Sequence, residues 1–289
     1  MMTQTLSPVI PLTIEPITPA VGAYVRLDAR DILGDGVPDR IMAALNRYNV
    51  LVFPRLHLPD EDFLALTAVL GDMQQSSVTD DGSTAAEKGI FRIALDKDDK
   101  TQLDFIRGND HWHMDGTSYS VPGKATLLKC EVAPAEGGDT GFANLFAAYA
   151  ALPEERRAAL EGLRVVHCLA AVGKKLYADP TEDDFRRWEA VFPPREHPLV
   201  WKQKDGRSSM VIGSTADDIV GMEHEAGMAI LRDLMDWATG PAFTYRHAWQ
   251  AGDLVIFNNP GLLHRSYPYE ASAGRVMHRT TLKGVEATA

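Results

Sequence analysis

The sequence predicts a single domain, mainly β with peripheral helices, in which a compact barrel or sandwich is decorated on its outside. Three observations carry this. Short β-compatible segments recur between residues 125 and 282, separated by long connections. They do not alternate regularly with helices, as a doubly wound parallel sheet would require. The 289 residues hold no internal repeat and no linker rich enough in Gly, Pro or Ser to divide them, and barrels of this length are ordinary as one unit.

Taken in order, an extended start rich in Pro, Ile and Thr leads into residues 38–48, where Ile41, Leu45 and Tyr48 fall on one helical face. Asn49 ends that helix, and Val50-Leu51-Val52-Phe53 ahead of Pro54 reads as a short buried strand. Asp60 is placed to cap a second helix with Phe63, Thr67 and Leu70 on its face and Gly71 at its end. Residues 72–110 are polar and irregular, with a mixed-charge run at 95–100 and with Gly82, Gly89 and Gly108 nearby. They read as a surface insertion or as a lid over a site. Strand-like segments then occupy 125–130, 165–169, 209–212, 243–249, 254–257 and 276–282. A helical insertion is expected at about 144–196. It contains Ala-rich residues 147–163, broken near Pro153, and a capping box of Thr181 with Asp184 ahead of Phe185, Trp188 and Phe192. A last helix over 225–237 sets Ile230, Leu234 and Trp237 on one side.

Composition removes several function classes. Lys plus Arg total 29 against 40 Asp plus Glu, a formal charge of −11, which disfavours non-specific nucleic-acid binding. With 45% hydrophobic and 24% charged residues, the chain is neither natively disordered nor fibrous. No run approaches the roughly 18 apolar residues of a spanning helix, so no membrane partner is expected. The N-terminus lacks a basic start, an apolar core and a small-residue cleavage site, so a cytoplasmic location is the expectation. Cys130 and Cys168 fit no metal-finger spacing and read as free buried thiols.

The densest chemistry lies in Asn109-Asp110-His111-Trp112-His113-Met114-Asp115-Gly116-Thr117. In extended backbone, residues two apart point the same way, so His113 and Asp115 present an imidazole and a carboxylate to one side. These are two members of the facial set of two histidines and one carboxylate that binds non-haem iron and leaves three positions open. The third ligand must come from far along the chain. Of the nine histidines, His264 is attractive, because Leu254-Val255-Ile256-Phe257 reads as a buried strand and the turn through Asn258, Asn259, Pro260 and Gly261 delivers it to a barrel rim. Zinc stays open with the same residues, although the octahedral set favours iron. Arg275 and Arg279 share a strand face. A guanidinium grips a carboxylate through two parallel hydrogen bonds, and inside a barrel it is costly unless an anion neutralises it. The competing reading leaves both arginines exposed or paired with acids.

Taken together these residues resemble the taurine dioxygenase and 2,4-dichlorophenoxyacetate dioxygenase family of Fe(II)- and 2-oxoglutarate-dependent oxygenases. The resemblance runs from about residue 12 to residue 284. It rests on Trp112-His113-Met114-Asp115 with Gly137-Gly138-Asp139-Thr140, on His197-Pro198-Leu199-Val200, and on Trp249, Gly252-Asp253, Asn259, His264 and Arg275-Val276-Met277-His278-Arg279. It implies a double-stranded β-helix, the cupin-like jelly roll, assembled as a homodimer or homotetramer. It implies Fe(II) held by His113, Asp115 and His264, with 2-oxoglutarate bound by Thr140 and, at its distal carboxylate, by Arg275. It places Arg279 near the inner carboxylate and the anionic end of the substrate, Asn109 at the mouth of the metal pocket, and His278 in a structural role. With O2 as oxidant, such a protein hydroxylates a small or medium organic acid and releases succinate and CO2.

Two departures bear on the substrate. Family members often read Trp-Asp-Asn-Arg where this chain has Phe257-Asn258-Asn259-Pro260, so hydrogen bonding around the distal histidine must be arranged differently. The stretch Gly71-Asp72-Met73-Gln74-Gln75-Ser76 carries no histidine, where taurine-specific members have one. Taurine is therefore not the expected substrate, and Met73 and Gln75 join Asn109 and Arg279 as candidate substrate contacts. The competing functions are a zinc hydrolase, for which no general base is evident, and a non-catalytic metal-binding sensor barrel, which would not need Thr140, Arg275 and Arg279 together.

Overall fold

A computed structural model describes residues 10–74, 89–95 and 100–288. Its strands in chain order are β1 (Thr13–Pro16), β2 (Ala23–Arg26), β3 (Val50–Phe53), β4 (Phe91–Ile93), β5 (Ala125–Val132), β6 (Thr140–Asn144), β7 (Arg164–His167) and β8 (Arg195–Pro198). There follow β9 (Val200–Lys202), β10 (Ser208–Met210), β11 (Ala216–Ile219), β12 (Thr244–His247), β13 (Leu254–Asn258), β14 (Leu262–Ser266) and β15 (Val276–Leu282). The larger sheet runs β1-β2-β3-β13-β5-β15-β4 and is antiparallel except between β2 and β3. A smaller sheet, β12-β6-β14, faces it.

Side-chain alternation explains why the central strands read as continuous apolar runs. Val50, Val52, Val255 and Phe257 point into the space between the two sheets, where they meet Phe142 and Leu262 of the smaller one. Leu51, Phe53, Leu254 and Ile256 point outward and are covered by two helices, α1 (Val37–Tyr48) and α2 (Asp60–Leu70). A strand buried on both faces has no polar alternation to show. Along β15 the same period sends Met277 inward, with Thr280 and Leu282 toward α2.

Asp60 does not cap α2. Pro59 is the cap residue, with no side-chain bond to the helix. The Asp60 carboxylate instead accepts from Lys129 Nζ at 2.7 Å and from His278 Nδ1 at 2.9 Å, tying the helix to β5 and β15. A charge-assisted contact to a buried ammonium outweighs a local cap that the helix can forgo. Residues 72–110 are also more regular than their polarity suggests. They contain β4, which pairs with β15, and α3 (Lys100–Gly108); residues 75–88 and 96–99, with Gly82 and most of the mixed-charge run, lie outside the described residues.

The insertion holds α4 (Leu145–Ala150), α5 (Glu154–Leu160), α6 (Leu169–Leu176) and α7 (Glu182–Val191), but also β7 and the start of β8, so it is not purely helical. Pro153 separates α4 from α5, and Thr181 and Asp184 close the capping box ahead of α7. The strand expected over 165–169 stops at His167, because Cys168 is the N-cap of α6. Gly173 lets α7 dock on α6: a Cβ there would come within 2.4 Å of the Trp188 ring. The last helix, α8 (His224–Ala238), buries Leu231 and Leu234. No described helix is long and apolar enough to cross a membrane.

One buried carboxylate locks the strand that leads to the site. Asp253 accepts from Arg55 N at 2.8 Å, Gln250 N at 2.9 Å and His247 Nε2 at 3.1 Å. Burial alone would raise its pKa, but the bonds from His247, Arg55 and Gln250 outweigh it and hold the group below the ordinary carboxylate value. A lowered folded pKa adds stability above the unfolded value of about 3.9, and this is lost as pH falls through the folded value. Asp253→Asn, which cannot satisfy three donors, is expected to lose about 2–4 kcal/mol at pH 7. Its denaturant unfolding should also depend less on pH in the acid range; a wild-type acid profile in the variant would remove Asp253 from this role.

Candidate active site

His113 and His264 meet through their backbones. His113 N donates to His264 O and His264 N donates to His113 O, both at 2.9 Å, so the two residues form one hydrogen-bonded pair at the edge of β14. Their rings lie 4.1 Å apart, centroid to centroid. Gly213 permits the close packing behind them, since a Cβ there would stand 3.2 Å from His113 Cα. Asp115, two residues on, turns Oδ1 to 3.8 Å from His113 Nε2 and 3.7 Å from His264 Nε2. One donor atom from each of the three residues thus lies within 4.8 Å of the other two.

The protonation states suit a cation. Burial drives both imidazoles toward neutrality, His264 down to about 3. Burial would raise Asp115, but His264, Arg279, His113 and the Thr126 hydroxyl together hold it down, at about 2. At neutral pH the cluster is two neutral imidazoles and one carboxylate. His113 Nδ1 lies 2.9 Å from His111 O; as the donor there it leaves the Nε2 lone pair facing Asp115. This donor set fits a divalent transition metal bound by nitrogen and oxygen on one face.

A second group that brings donor atoms together, Asp60, Glu131 and His278, is of another kind. Lys129 Nζ sits 2.7 Å from Asp60 Oδ1 and 2.6 Å from Glu131 Oε1, so a cation of the chain itself already bridges the two carboxylates.

Thr140, Arg275, Arg279 and Asn109 line the same cavity as His113 and His264. Its remaining walls include Ile93, Ile106, Leu128 and Phe257. Thr140 Oγ1 accepts from Trp249 Nε1 at 2.9 Å, which leaves its own proton to donate elsewhere. Arg275 is only 5% exposed. Its guanidinium stacks 5.0 Å from the Tyr269 ring, while its stem passes Gly138, where a Cβ would come within 2.9 Å of Cδ. Arg275 Nε and the Tyr269 hydroxyl are buried without a hydrogen-bond partner among the described residues. A desolvated guanidinium in a cavity is an anion site.

Met73 is not brought to this cavity. Its backbone bridges to Leu282, and its side chain is partly exposed and packs beside Gly89. Gln75 lies outside the described residues. Sequence reasoning assigned no role to Trp249 and Tyr269, and passed over Thr126, whose Oγ1 donates to Asp115 Oδ2 at 3.0 Å. The available signal was the alternation of Thr126, Leu128 and Cys130 along β5.

The family model described as taurine catabolism dioxygenase TauD, TfdA family, matches residues 13–281. The chain belongs to this family. Among TauD/TfdA relatives, it is 33% identical over 282 residues to the (S)-phenoxypropionate/alpha-ketoglutarate-dioxygenase of Sphingobium herbicidovorans, covering 95% of this chain and 96% of the relative. It is 30% identical over 277 residues to the alpha-ketoglutarate-dependent 2,4-dichlorophenoxyacetate dioxygenase of Cupriavidus pinatubonensis, covering 92% and 96%. Among solved structures, AAD-2 in complex with Mn(II) and N-oxalylglycine superimposes with a TM-score of 0.80 at 29% identity, covering 96% of this chain and 100% of that one. The two facing sheets are thus the jelly-roll core that the sequence resemblance implied, and this TauD/TfdA member is a dioxygenase of the 2-oxoglutarate (alpha-ketoglutarate)-dependent class.

Proposed function

We propose that this dioxygenase binds Fe(II) at His113, Asp115 and His264 and hydroxylates a small or medium organic acid with an apolar body, releasing succinate and CO2. The observation that carries the reading is one cavity holding both a buried guanidinium, Arg275, with no direct carboxylate partner among the described residues, and the two histidines that converge on Asp115. A bound ferrous ion supplies O2 activation coupled to decarboxylation of 2-oxoglutarate. The chain's own residues bind, aim and exclude water. Arg275 pairs with the distal carboxylate of 2-oxoglutarate while Thr140 donates its free proton to it. Arg279, in β15, lining the same cavity and above the Phe91 ring at 5.2 Å, pairs with the inner carboxylate or the substrate's anionic end. Ile93, Ile106 and Leu128 form an apolar wall for the substrate body and keep water from the centre.

The relatives named above act on aryloxy acids, an anionic head on an apolar body, and this wall suits that shape. The test is substrate-dependent succinate formation across aryloxy acids, sulfonates, sulfate esters and acylated amino acids, with product mass measured in parallel. Anionic substrates with apolar bodies are expected to exceed taurine, and Arg279→Ala is expected to lower their turnover by about 10-fold or more, the loss of one charge-assisted contact. Turnover of neutral substrates alone, indifferent to Arg279→Ala, would reject the acid; a preference for taurine above all others would reject the selectivity.

A further inference from the structure

Asp115 has two oxygens, and the fold treats them differently. Oδ1 faces the two Nε2 atoms, whereas Oδ2 accepts from Thr126 Oγ1 at 3.0 Å. Thr126 is fully buried on β5 and has one hydroxyl proton to give. Asn259 Oδ1 lies 3.2 Å away as a second acceptor, but an ionised carboxylate is the stronger one. Asn259 Nδ2 meanwhile donates to Thr126 Oγ1 at 3.1 Å. The bonds therefore run in one direction, from the Asn259 amide to the Thr126 hydroxyl to Asp115 Oδ2. Asn259 is itself buried in the turn between β13 and β14 and held by its backbone N to Lys124 O at 3.2 Å. This turn is where the chain departs from Trp-Asp-Asn-Arg yet keeps the Asn.

We infer that Thr126 is a positioning residue that keeps Asp115 bound to the metal through Oδ1 alone, and that Asn259 orients Thr126 for this task. The inference rests on the metal reading proposed above. Its chemical consequence is a matter of counting. Three single-atom ligands leave three of six positions open, enough for a two-point chelate of 2-oxoglutarate and one for O2. If Oδ2 were free to coordinate as well, the carboxylate would take a fourth position and leave none for O2 once the chelate had bound. Thr126 thus guards the open position without touching metal, co-substrate or substrate.

The test is anaerobic titration of the metal-free full chain with Co(II), a visible-spectrum stand-in for Fe(II), with and without 2-oxoglutarate. Wild type is compared with Thr126→Val, Thr126→Ala, Thr126→Ser and, as a ligand control, His264→Ala; thermal unfolding of each metal-free protein identifies any that fail to fold. Thr126→Val keeps shape and removes the donor; Thr126→Ala removes it without a branched substituent and decides the matter if the Val variant misfolds. Both are expected to bind Co(II) about 10–100-fold more weakly, the usual cost of losing a hydrogen bond that orients a ligand, and to show an altered Co(II) visible spectrum. Thr126→Ser is expected to keep the wild-type affinity and spectrum. Wild-type affinity and spectrum in the Val and Ala variants would overturn the inference while leaving the metal site intact. A wild type that binds Co(II) no better than His264→Ala would overturn the metal reading, and this inference with it.

Discussion

Replacing Asp115 or His264 by Ala is expected to abolish most turnover and to weaken metal binding by about 100-fold or more, beyond the 10–100-fold cost of losing only an orienting hydrogen bond. The physical case lies in the donor set. Among the described residues Asp115 is the only carboxylate that shares the cluster with His113 and His264, so its loss would remove the negative charge expected to draw a divalent cation into a buried pocket. His264 is neutral, buried and tied to His113 by reciprocal backbone bonds. The Ala variant keeps those backbone bonds and loses only the ring, so the barrel should remain folded. The measurement is metal-dependent thermal stabilisation alongside activity. A ligand present at 100 times its dissociation constant stabilises the folded state by about 2.7 kcal/mol. That gain should appear in wild type and vanish in both variants, whose metal-free unfolding should stay near that of metal-free wild type. Metal-induced stabilisation of wild-type size in either variant would dismiss the triad.

Loss of Arg275 is the second large effect. Arg275→Ala is expected to weaken 2-oxoglutarate binding by about 2–5 kcal/mol, because the partner carboxylate stays partly desolvated after the guanidinium is gone; this is roughly 30-fold to several thousand-fold in dissociation constant. Arg275→Lys should recover only part of it, since an ammonium cannot reproduce the two parallel bonds of a planar fork. A second readout separates binding from structure. In the free protein no described carboxylate pairs directly with Arg275, although Asp110 feels its charge from farther off, and a buried charge without a close counterion is a cost. Removing it should leave the stability of the free protein unchanged or raised while co-substrate affinity falls. Calorimetric titration with 2-oxoglutarate under anaerobic Fe(II) conditions, paired with denaturant unfolding, reads both quantities. Equal affinity in wild type and variant would take Arg275 out of the site.

The parts of this protein legible in its sequence are those set by short backbone periods. The run Val50-Leu51-Val52-Phe53 declares a strand buried on two faces because each successive side chain meets a different apolar layer. The Thr181 and Asp184 box lies within one helical turn, so no distant residue is needed to form it. His113 and Asp115 point together because two residues is the period of extended chain; Arg275 and Arg279 both line one cavity, although Arg275 stands just ahead of β15 rather than in it.

What the tertiary structure alone decided are the contacts that depend on which strands lie side by side. Asp60 had every local qualification as a helix cap, yet β5 and β15 bring Lys129 and His278 to it, and a buried ammonium is the stronger claim. Residues 91–93 are too few to declare a strand, and become one because β15 offers them an open edge. Met73 looked like a substrate contact by its place in the chain, but pairing with Leu282 keeps it from the cavity. Thr126 is nondescript in the sequence; it matters because β5 lies between β13 and β15, which sets its hydroxyl between Asn259 and Asp115. A local pattern records only the direction in which a side chain points. What waits for it there is fixed by strand register across more than a hundred residues, and no short window of sequence contains that information.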